Sequence, residues 1–262
     1  MLRHIKGRPI SMQRFPDGIG KHGFFHKEVP QHFPDWIKRV TVRKRNGTVT
    51  HALICDVDTL VYLADQACIT PHVWLSRADE LERPDRMVFD LDPSGGRFAE
   101  VRRAAQSIGE LLEGLGLAPF AMTTGSRGLH VWVPLRRQAG FDEVRQFARD
   151  VARVMVSRAP DQLTLEARKQ KRGERILIDI MRNAYAQTAV PPYAVRPKRG
   201  APIATPLRWG ELSDSSLRPD KFTLRNIDRR LSSVDDPWAR MARHARGLGP
   251  ARRRLDKLLA DE

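Results

Sequence analysis

The sequence predicts a mixed α/β fold in which helices flank a central mixed or antiparallel sheet. Strand-like apolar runs alternate with two amphipathic helices, an Asn-Gly turn marks a β-hairpin, and no glycine fingerprint of a Rossmann fold accompanies them. The chain has 262 residues, 41% of them hydrophobic, which is enough for a sizeable core in one large domain or two small ones.

Periodicity and turn residues place the individual elements. Apolar residues at steps of three and four predict helices, and strand-forming residues beside glycine-containing turns predict hairpins. In order, the predicted elements are a hairpin over 40–50, a helix over 98–115 closed by Gly116, a hairpin over 120–135, a helix over 141–156, a buried strand over 176–180 and a basic helix from about Asp236.

The charge balance points to a polyanionic partner. The formal net charge is +15, which favours DNA or RNA over an anionic membrane, although charge that only keeps a protein soluble is the alternative. No apolar run approaches the about 20 residues of a spanning helix, so no membrane association is expected. The two cysteines, Cys55 and Cys68, offer neither a disulfide framework nor a zinc quartet. A reducing cytoplasm, near the nucleoid for a DNA-binding protein, is the expected location.

Three acidic residues predict a metal site. Asp90 and Asp92 follow an apolar run that indicates a buried strand, and residues two apart on a strand share a face, with Leu91 on the other. Adjacent carboxylates repel unless a cation neutralises them, and their hard oxygen ligands suit Mg²⁺ or Mn²⁺. Asp179, isolated in an aliphatic strand, is the natural third ligand of a two-ion phosphoryl-transfer site. A turn or a cap is the alternative for an isolated Asp-x-Asp.

The segment from Thr123 to His130 predicts a phosphate-binding turn. It supplies hydroxyls, backbone N–H groups on a glycine-rich turn, a cation and an imidazole, which are the donors that a triphosphate requires. An ordinary hairpin turn, with His130 as a plain sheet residue, is the alternative. Because the segment lies between the paired acids and Asp179, nucleotidyl transfer becomes the favoured chemistry.

From near its first residue to about Leu231, the chain resembles the polymerase domain of bacterial ligase D, in the archaeo-eukaryotic primase superfamily. Six segments carry the resemblance in the family's order: Phe15-Pro16-Asp17-Gly18 with Phe24-Phe25-His26-Lys27, Pro71-His72-Val73-Trp74, Asp90-Leu91-Asp92-Pro93, Thr124-Gly125-Ser126-Arg127-Gly128-Leu129-His130, Ile178-Asp179, and Pro192-Tyr193-Ala194-Val195-Arg196. The resemblance implies a primase-polymerase fold over 1–262, with a DNA-binding lobe over 1–75, a catalytic core over 76–232 and a basic C-terminal helix over 233–262.

The resemblance also implies residue roles. Asp90, Asp92 and Asp179 would hold two Mn²⁺ or Mg²⁺ ions for template-directed addition of nucleotides to DNA primers at gaps or double-strand break ends. Phe24 and Phe25 would stack on template bases, unless they are core aromatics. The residues expected to bind the nucleoside triphosphate are His72, Thr124, Ser126, Arg127, His130, Arg182 and Arg196. The implied setting is non-homologous end joining, with Ku and an ATP-dependent ligase as partners.

Two basic segments are candidate DNA contacts. The tip of the predicted hairpin carries Arg43, Lys44 and Arg45, for which a solvated edge hairpin is the alternative. A second basic loop carries Lys169, Lys171 and Arg172, and Lys27 follows the phenylalanine pair.

The chain departs from the family pattern at three points. Arg127 stands where lysine is common. Arg182 replaces a usual glutamine, and its guanidinium either binds phosphate more tightly or crowds the metal. The upstream segment that forms a 5′-phosphate pocket has no counterpart. We therefore expect little preference for a 5′-phosphorylated gap. Two other functions stay open: a standalone primase-polymerase in gap repair or damage tolerance, and a catalytically silent module that bridges DNA ends.

Overall fold

A computed structural model describes residues 1–44 and 46–261 of the chain. Its elements are α1 (Leu2–Ile5), β1 (Ile10–Arg14), β2 (Phe24–His26), β3 (Arg39–Lys44), β4 (Gly47–Ala52), α2 (Val57–Asp65), β5 (Cys68–Trp74), β6 (Arg86–Pro93), α3 (Phe98–Gly114), β7 (Phe120–Thr123), β8 (Leu129–Pro134), α4 (Phe141–Arg158), β9 (Leu163–Thr164), α5 (Lys169–Arg172), β10 (Ile176–Asp179), β11 (Thr188–Ala189), β12 (Thr205–Pro206), α6 (Ile227–Ser233) and α7 (Leu248–Asp261). Short 3₁₀ helices cover Met181–Asn183, Trp209–Ser213 and Met241–His244.

Two sheets and a separate hairpin organise these elements. The larger sheet has the order β12-β7-β8-β6-β10-β9, and the smaller has the order β11-β5-β1-β2. All pairs in the larger sheet are antiparallel except β9 with β10, so the predicted mixed sheet is confirmed. β11 comes late in the chain but pairs with β5, which joins the N-terminal sheet to the C-terminal half of the chain.

One face of the larger sheet is covered by α3 and α4. Both helices have apolar residues at three- and four-residue steps, and these residues form one buried cluster with the alternate positions of the central strands. The helix-facing positions of β6 and β8 are Met87, Phe89, Leu91, Leu129, Val131 and Val133. α3 ends as predicted, because Gly116 adopts a left-handed conformation with φ of 83° just beyond it.

The opposite face of the larger sheet packs in its middle against a second apolar cluster. Val88, Met122 and Trp132 of the sheet belong to this buried cluster together with Leu75 and Trp238. The same face carries Asp90 and Asp92 nearer the end of β6, since side chains alternate along a strand. Burial of the middle of this face leaves its end open for polar side chains.

The C-terminal segment differs from the prediction. A basic helix was expected from about Asp236, but α7 begins at Leu248, and residues 236–247 form turns and a 3₁₀ helix. The Asp236 carboxylate accepts hydrogen bonds from the Trp238 amide at 3.0 Å and from the Tyr193 hydroxyl at 3.1 Å. The indole N–H of the buried Trp238 also donates to the carbonyl of Ala121 at 3.2 Å. These tertiary contacts hold the segment in a turn, so the expectation of one helix over 233–262 is wrong.

Within the described residues, none of the helices combines the length and the apolar character needed to cross a membrane.

Candidate active site

Three aspartates lie side by side on one face of the larger sheet. Asp179 of β10 is directly opposite Asp90 of β6 in the antiparallel register, and Asp92 lies two residues further along β6. Residues directly opposite in an antiparallel pair, and residues two apart on a strand, share a face. The side chains of Asp90, Asp92 and Asp179 are 18%, 31% and 23% exposed, whereas Leu91 is buried on the other face.

His130 of β8 completes this row on the other side of Asp90. Its Nε2 lies 3.4 Å from Asp90 Oδ1, and its Nδ1 accepts a hydrogen bond from the Trp132 indole N–H at 3.3 Å. An indole N–H only donates, so Nδ1 carries no proton and the proton on Nε2 faces Asp90. Burial alone would raise the pKa of Asp90, but His130, Arg182 and Arg196 lower it below its ordinary value.

The turn between β7 and β8 requires glycine at two positions. Gly125 has φ of 63°, and a Cβ on Gly128 would lie 1.9 Å from the carbonyl oxygen of Leu91. Within the turn, the Thr124 hydroxyl donates to the Gly128 carbonyl at 3.1 Å and accepts from the Ser126 amide at 3.2 Å. The Thr124 hydroxyl therefore holds the turn, and the residues at the tip present their side chains to the cavity.

The aspartates line a cavity of about 250 Å³ between the two sheets. Its far wall is formed by His72 of β5, by β11 and by Val190 and Arg196. All seven triphosphate-binding candidates predicted from the sequence line it: His72, Thr124, Ser126, Arg127, His130, Arg182 and Arg196. A larger cavity, of about 820 Å³, lies between α3, α4 and α7, but Glu110 is the one acidic residue among its lining residues.

Arginines face the carboxylates from several sides. Arg127 Nη2 donates to Asp92 Oδ1 at 3.0 Å. Arg182 Nε lies 3.7 Å from Asp90 Oδ2 and 4.0 Å from Asp179 Oδ2, beyond hydrogen-bonding distance, and the Arg182 side chain is 43% exposed. The Arg127 side chain, at 52% exposed, is likewise open to solvent.

Two further arginines are held by the fold. Arg196 Nη1 donates to the Thr124 carbonyl at 3.0 Å, while its Nε is buried without a partner among the described residues. Burial and the neighbouring Arg182 lower the pKa of Arg196. Arg172 Nη1 reaches Asp92 Oδ2 at 3.5 Å. Four arginines therefore surround three aspartates, and the cavity favours a ligand that is strongly anionic.

His72 faces the aspartates across the cavity in a neutral form. Burial, together with Arg196 and Arg182, lowers the pKa of His72 to about 3. Its Nε2 is 3.2 Å from Gln13 Oε1, and its ring contacts Phe25 edge-on at 5.1 Å. Phe25 is 56% exposed and Phe24 is 43% exposed, so the alternative that this pair belongs to the core is wrong.

The carboxylate oxygens of the three aspartates are suitable ligands for divalent ions, although arginine side chains lie next to them. Among the described residues, no group of three or more His, Cys, Asp or Glu side chains is positioned to hold a metal ion as it stands. Carboxylate oxygens on one face are nevertheless the donors that Mg²⁺ and Mn²⁺ prefer. Of the nearby arginines, Arg127 and Arg182 have partly exposed side chains. The aspartates therefore fit such ions when these two side chains turn away from them.

The predicted DNA contacts divide into exposed and buried residues. Lys27, Arg43, Lys44, Lys169 and Lys171 are exposed, and Arg45 lies outside the described residues. Arg172 is different, because its guanidinium donates to the carbonyls of Glu166 and Ala167 and faces Asp92 from a buried position. The expectation that Arg172 reaches DNA from a basic loop is therefore corrected to a place within the cavity.

Sequence reasoning missed three residues that shape the site. Trp132 sets the tautomer of His130, Gln13 orients His72, and buried Asn183 bonds both backbone groups of Val88 at 2.8 and 2.7 Å. Trp132 could have been found, because it lies two positions from His130 on one strand. The other two pairings join residues 59 and 95 positions apart, so no local pattern announces them.

A mixed α/β fold whose sheet carries three aspartates beside an arginine-lined cavity is consistent with a primase-polymerase domain. The chain matches the family described as LigD, primase-polymerase domain, over residues 1–238. The chain therefore belongs to the LigD primase-polymerase domain family, and the resemblance identified from the sequence is confirmed.

Individual relatives agree with this assignment. The multifunctional non-homologous end joining protein LigD of Pseudomonas aeruginosa is 33% identical over 257 residues, covering 97% of this chain and 30% of that protein. The multifunctional non-homologous end joining DNA repair protein LigD of Mycobacterium tuberculosis is 34% identical over 227 residues, or 83% of this chain and 30% of that protein. This chain thus spans about 30% of the length of these relatives.

A solved structure is also similar. The polymerase domain from Mycobacterium tuberculosis Ligase D in complex with DNA matches with a TM-score of 0.88 and 30% identity, covering 94% of this chain and 88% of that one. The primase-polymerase fold expected from the resemblance is confirmed.

Proposed function

We propose that this chain is a template-directed nucleotidyl transferase that adds nucleotides to DNA primers at gaps or double-strand break ends. The observation that carries the proposal is the row of Asp90, Asp92 and Asp179 on one sheet face, beside a cavity in which arginines outnumber them. Phosphoryl transfer requires that paired charge: carboxylates for divalent ions, and cations for the phosphates.

The carboxylate row is assigned to two divalent ions, Mn²⁺ or Mg²⁺. When bound there, such ions lower the pKa of an attacking hydroxyl and neutralise charge on a leaving pyrophosphate. Asp90 is central in this assignment, since it lies between Asp179 and His130 in the sheet register. His130 orients the Asp90 carboxylate through its protonated Nε2, and Trp132 keeps that tautomer.

The cations and donors around the cavity are assigned to the triphosphate. Arg196 offers a buried Nε without a partner, and a guanidinium matches phosphate oxygens with paired donors. Ser126 and Arg127, at the tip of the glycine turn, add a hydroxyl and a second guanidinium. Neutral His72 contributes a hydrogen bond rather than a charge, since its pKa is lowered to about 3.

The DNA would lie across the N-terminal lobe. Phe24 and Phe25 are exposed on β2, next to His72 at the cavity, and are assigned to stacking on template bases, a contact that tolerates any sequence. Exposed Lys27, Lys169, Lys171 and the hairpin cations Arg43 and Lys44 are assigned to phosphate contacts.

The relatives' names suggest the cellular setting. They are non-homologous end joining proteins, so we propose that this chain acts in the same process in the cytoplasm at the nucleoid, with Ku and an ATP-dependent ligase as partners.

Primer extension on gapped DNA with Mn²⁺ tests the proposal. Asp90→Asn and Asp179→Asn should each abolish extension, while Asp142→Asn, an exposed acid at the start of α4, serves as the matched control. DNA binding by the same variants should persist, which separates loss of chemistry from loss of substrate. Full extension by either site variant would exclude the carboxylate assignment, and absence of extension by the unmodified protein would favour a DNA-end-bridging role.

A further inference from the structure

A second cavity, of about 360 Å³, lies at the opposite end of β6 from the aspartates. Its lining includes five arginines, which we call the arginine cavity: Arg3, Arg77, Arg86, Arg136 and Arg137. Arg86 is six residues from Asp92 on the same strand, so the two sites are separated by about 20 Å. The arginine cavity is therefore distinct from the candidate active site.

Only one oxygen of the carboxylate within the arginine cavity is bonded, because Asp85 Oδ1 is buried without a hydrogen-bond partner among the described residues. Asp85 Oδ2 accepts from Arg8 Nη2 at 2.6 Å and from Arg77 Nε at 3.0 Å. Arg137 bonds acids outside the cavity lining, with Nη1 at 2.7 Å from Asp79 Oδ1. Arg86 is the buried arginine of this cavity whose side chain makes no hydrogen bond with the described residues.

The Arg86 side chain is buried and makes no hydrogen bond with the described residues. The residue is 7% exposed, its Nη1 is buried without a partner, and its Nε lies 3.9 Å from Asp85 Oδ1, too far for a hydrogen bond. The Trp132 ring, with its centroid 5.8 Å from Arg86 Cζ, is its other neighbour of note. Burial and the adjacent Arg8 and Arg77 lower the pKa of Arg86 to about 9. A buried guanidinium without a hydrogen-bonding partner is stabilised by any anion that can reach it.

The rim of the arginine cavity carries two further positive charges. Arg3 and Arg136 are exposed, and within the described part of the chain neither side chain forms a hydrogen bond or an ion pair. Trp238 and Leu135 provide apolar walls. A tetrahedral phosphate group suits this lining, because its several acceptor oxygens and its double charge match converging guanidinium groups.

We propose that the arginine cavity binds a phosphate group, with Arg86 as the buried anchor and Arg3 and Arg136 at the rim. The phosphate comes either from a free anion such as pyrophosphate or from the 5′ end of a nucleic-acid strand, since both present the same oxygens. The proposal is independent of the polymerase assignment, because it rests on different residues.

Calorimetric titration with pyrophosphate in EDTA tests the proposal without any turnover. Two sites are expected, one at Arg86 and one among the arginines of the active-site cavity. Arg127→Gln with Arg196→Gln should remove the active-site one. Arg86→Gln should remove the other, and Arg3→Gln with Arg136→Gln should weaken it about tenfold to a hundredfold.

One control variant, one soak and one competition experiment make the result decisive. The rim double variant carries exposed substitutions only, so the test holds even where Arg86→Gln fails to fold, and Arg103→Gln is the exposed arginine control. A crystal soaked with tungstate should show an anomalous peak beside Arg86. Competition by a 5′-phosphorylated oligonucleotide, but not by its 5′-hydroxyl form, identifies a strand end as the source, and pyrophosphate binding alone identifies a free anion. Wild-type titration by the rim variant, or tungstate confined to the active site, overturns the proposal.

Discussion

Arg182 allows a test of whether arginine side chains and metal ions compete for the carboxylates of the active-site cavity. Its Nε lies 3.7 Å from Asp90 Oδ2 and 4.0 Å from Asp179 Oδ2, between the two directly paired strands. A divalent ion on these carboxylates has to displace that guanidinium or tolerate it as a like charge. Arg182→Gln, which removes the charge, should therefore tighten Mn²⁺ binding in the absence of nucleotide.

The size of the effect follows from the distances and the exposure. Opposite charges at about 4 Å attract by about 1 kcal/mol in water and about 4 kcal/mol at an effective dielectric of about 20. Arg182 is 43% exposed, which places it toward the screened end. A net change of about 1.4 kcal/mol, or about tenfold in the dissociation constant, is the expected outcome.

Electron paramagnetic resonance of free Mn²⁺ measures this affinity directly. Arg182→Lys keeps the charge and should stay within about threefold of the wild type, since a displaced cation continues to compete for the carboxylates. Arg153→Gln, an exposed arginine of α4, should leave the affinity unchanged. Unchanged or weaker Mn²⁺ binding by Arg182→Gln would refute the competition between Arg182 and the ion.

Three further outcomes are expected. Phe25→Ala should weaken primer–template binding by about 1–3 kcal/mol in fluorescence anisotropy, with little change in melting temperature, whereas Trp36→Ala, at a similarly exposed aromatic, should bind as the wild type. Arg43→Ser with Lys44→Ser should make the slope of log affinity for DNA against log salt concentration shallower by about 1.4–1.8. An unchanged slope would favour the interpretation of a solvated edge hairpin. The pKa of Asp236 is lowered to about 2 despite burial, by His4 and the Trp238 amide. Its stabilisation is therefore complete above its ordinary pKa and lost as pH falls, so Asp236→Asn should cost about 1–2 kcal/mol in urea unfolding at pH 7 and less near pH 3, and a constant difference would contradict this.

The sequence by itself determined the central helices and strands and the chemical type of the candidate site. Asp90 and Asp92 had to share a face because strand side chains alternate, and the helices over 98–115 and 141–156 follow from apolar residues at helical steps. Local periodicity sufficed in these cases because neighbours in the chain define the geometry. The resemblance then supplied the family, which the comparison of whole chains confirmed.

The tertiary structure decided which cations face which acids. Arg172 looked like part of a basic loop, yet its guanidinium turns inward to carbonyls of residues 166 and 167 and to Asp92, 80 positions earlier. The start of α7 moved to Leu248 because Trp238 is anchored to Ala121 on the sheet. Likewise, Arg8 and Arg77 both bond Asp85 Oδ2, while Asp85 Oδ1 stays 3.9 Å from Arg86 Nε, beyond hydrogen-bonding distance. These contacts join residues that are distant in sequence. Local sequence patterns therefore cannot predict them, because they form only when packing brings the side chains together.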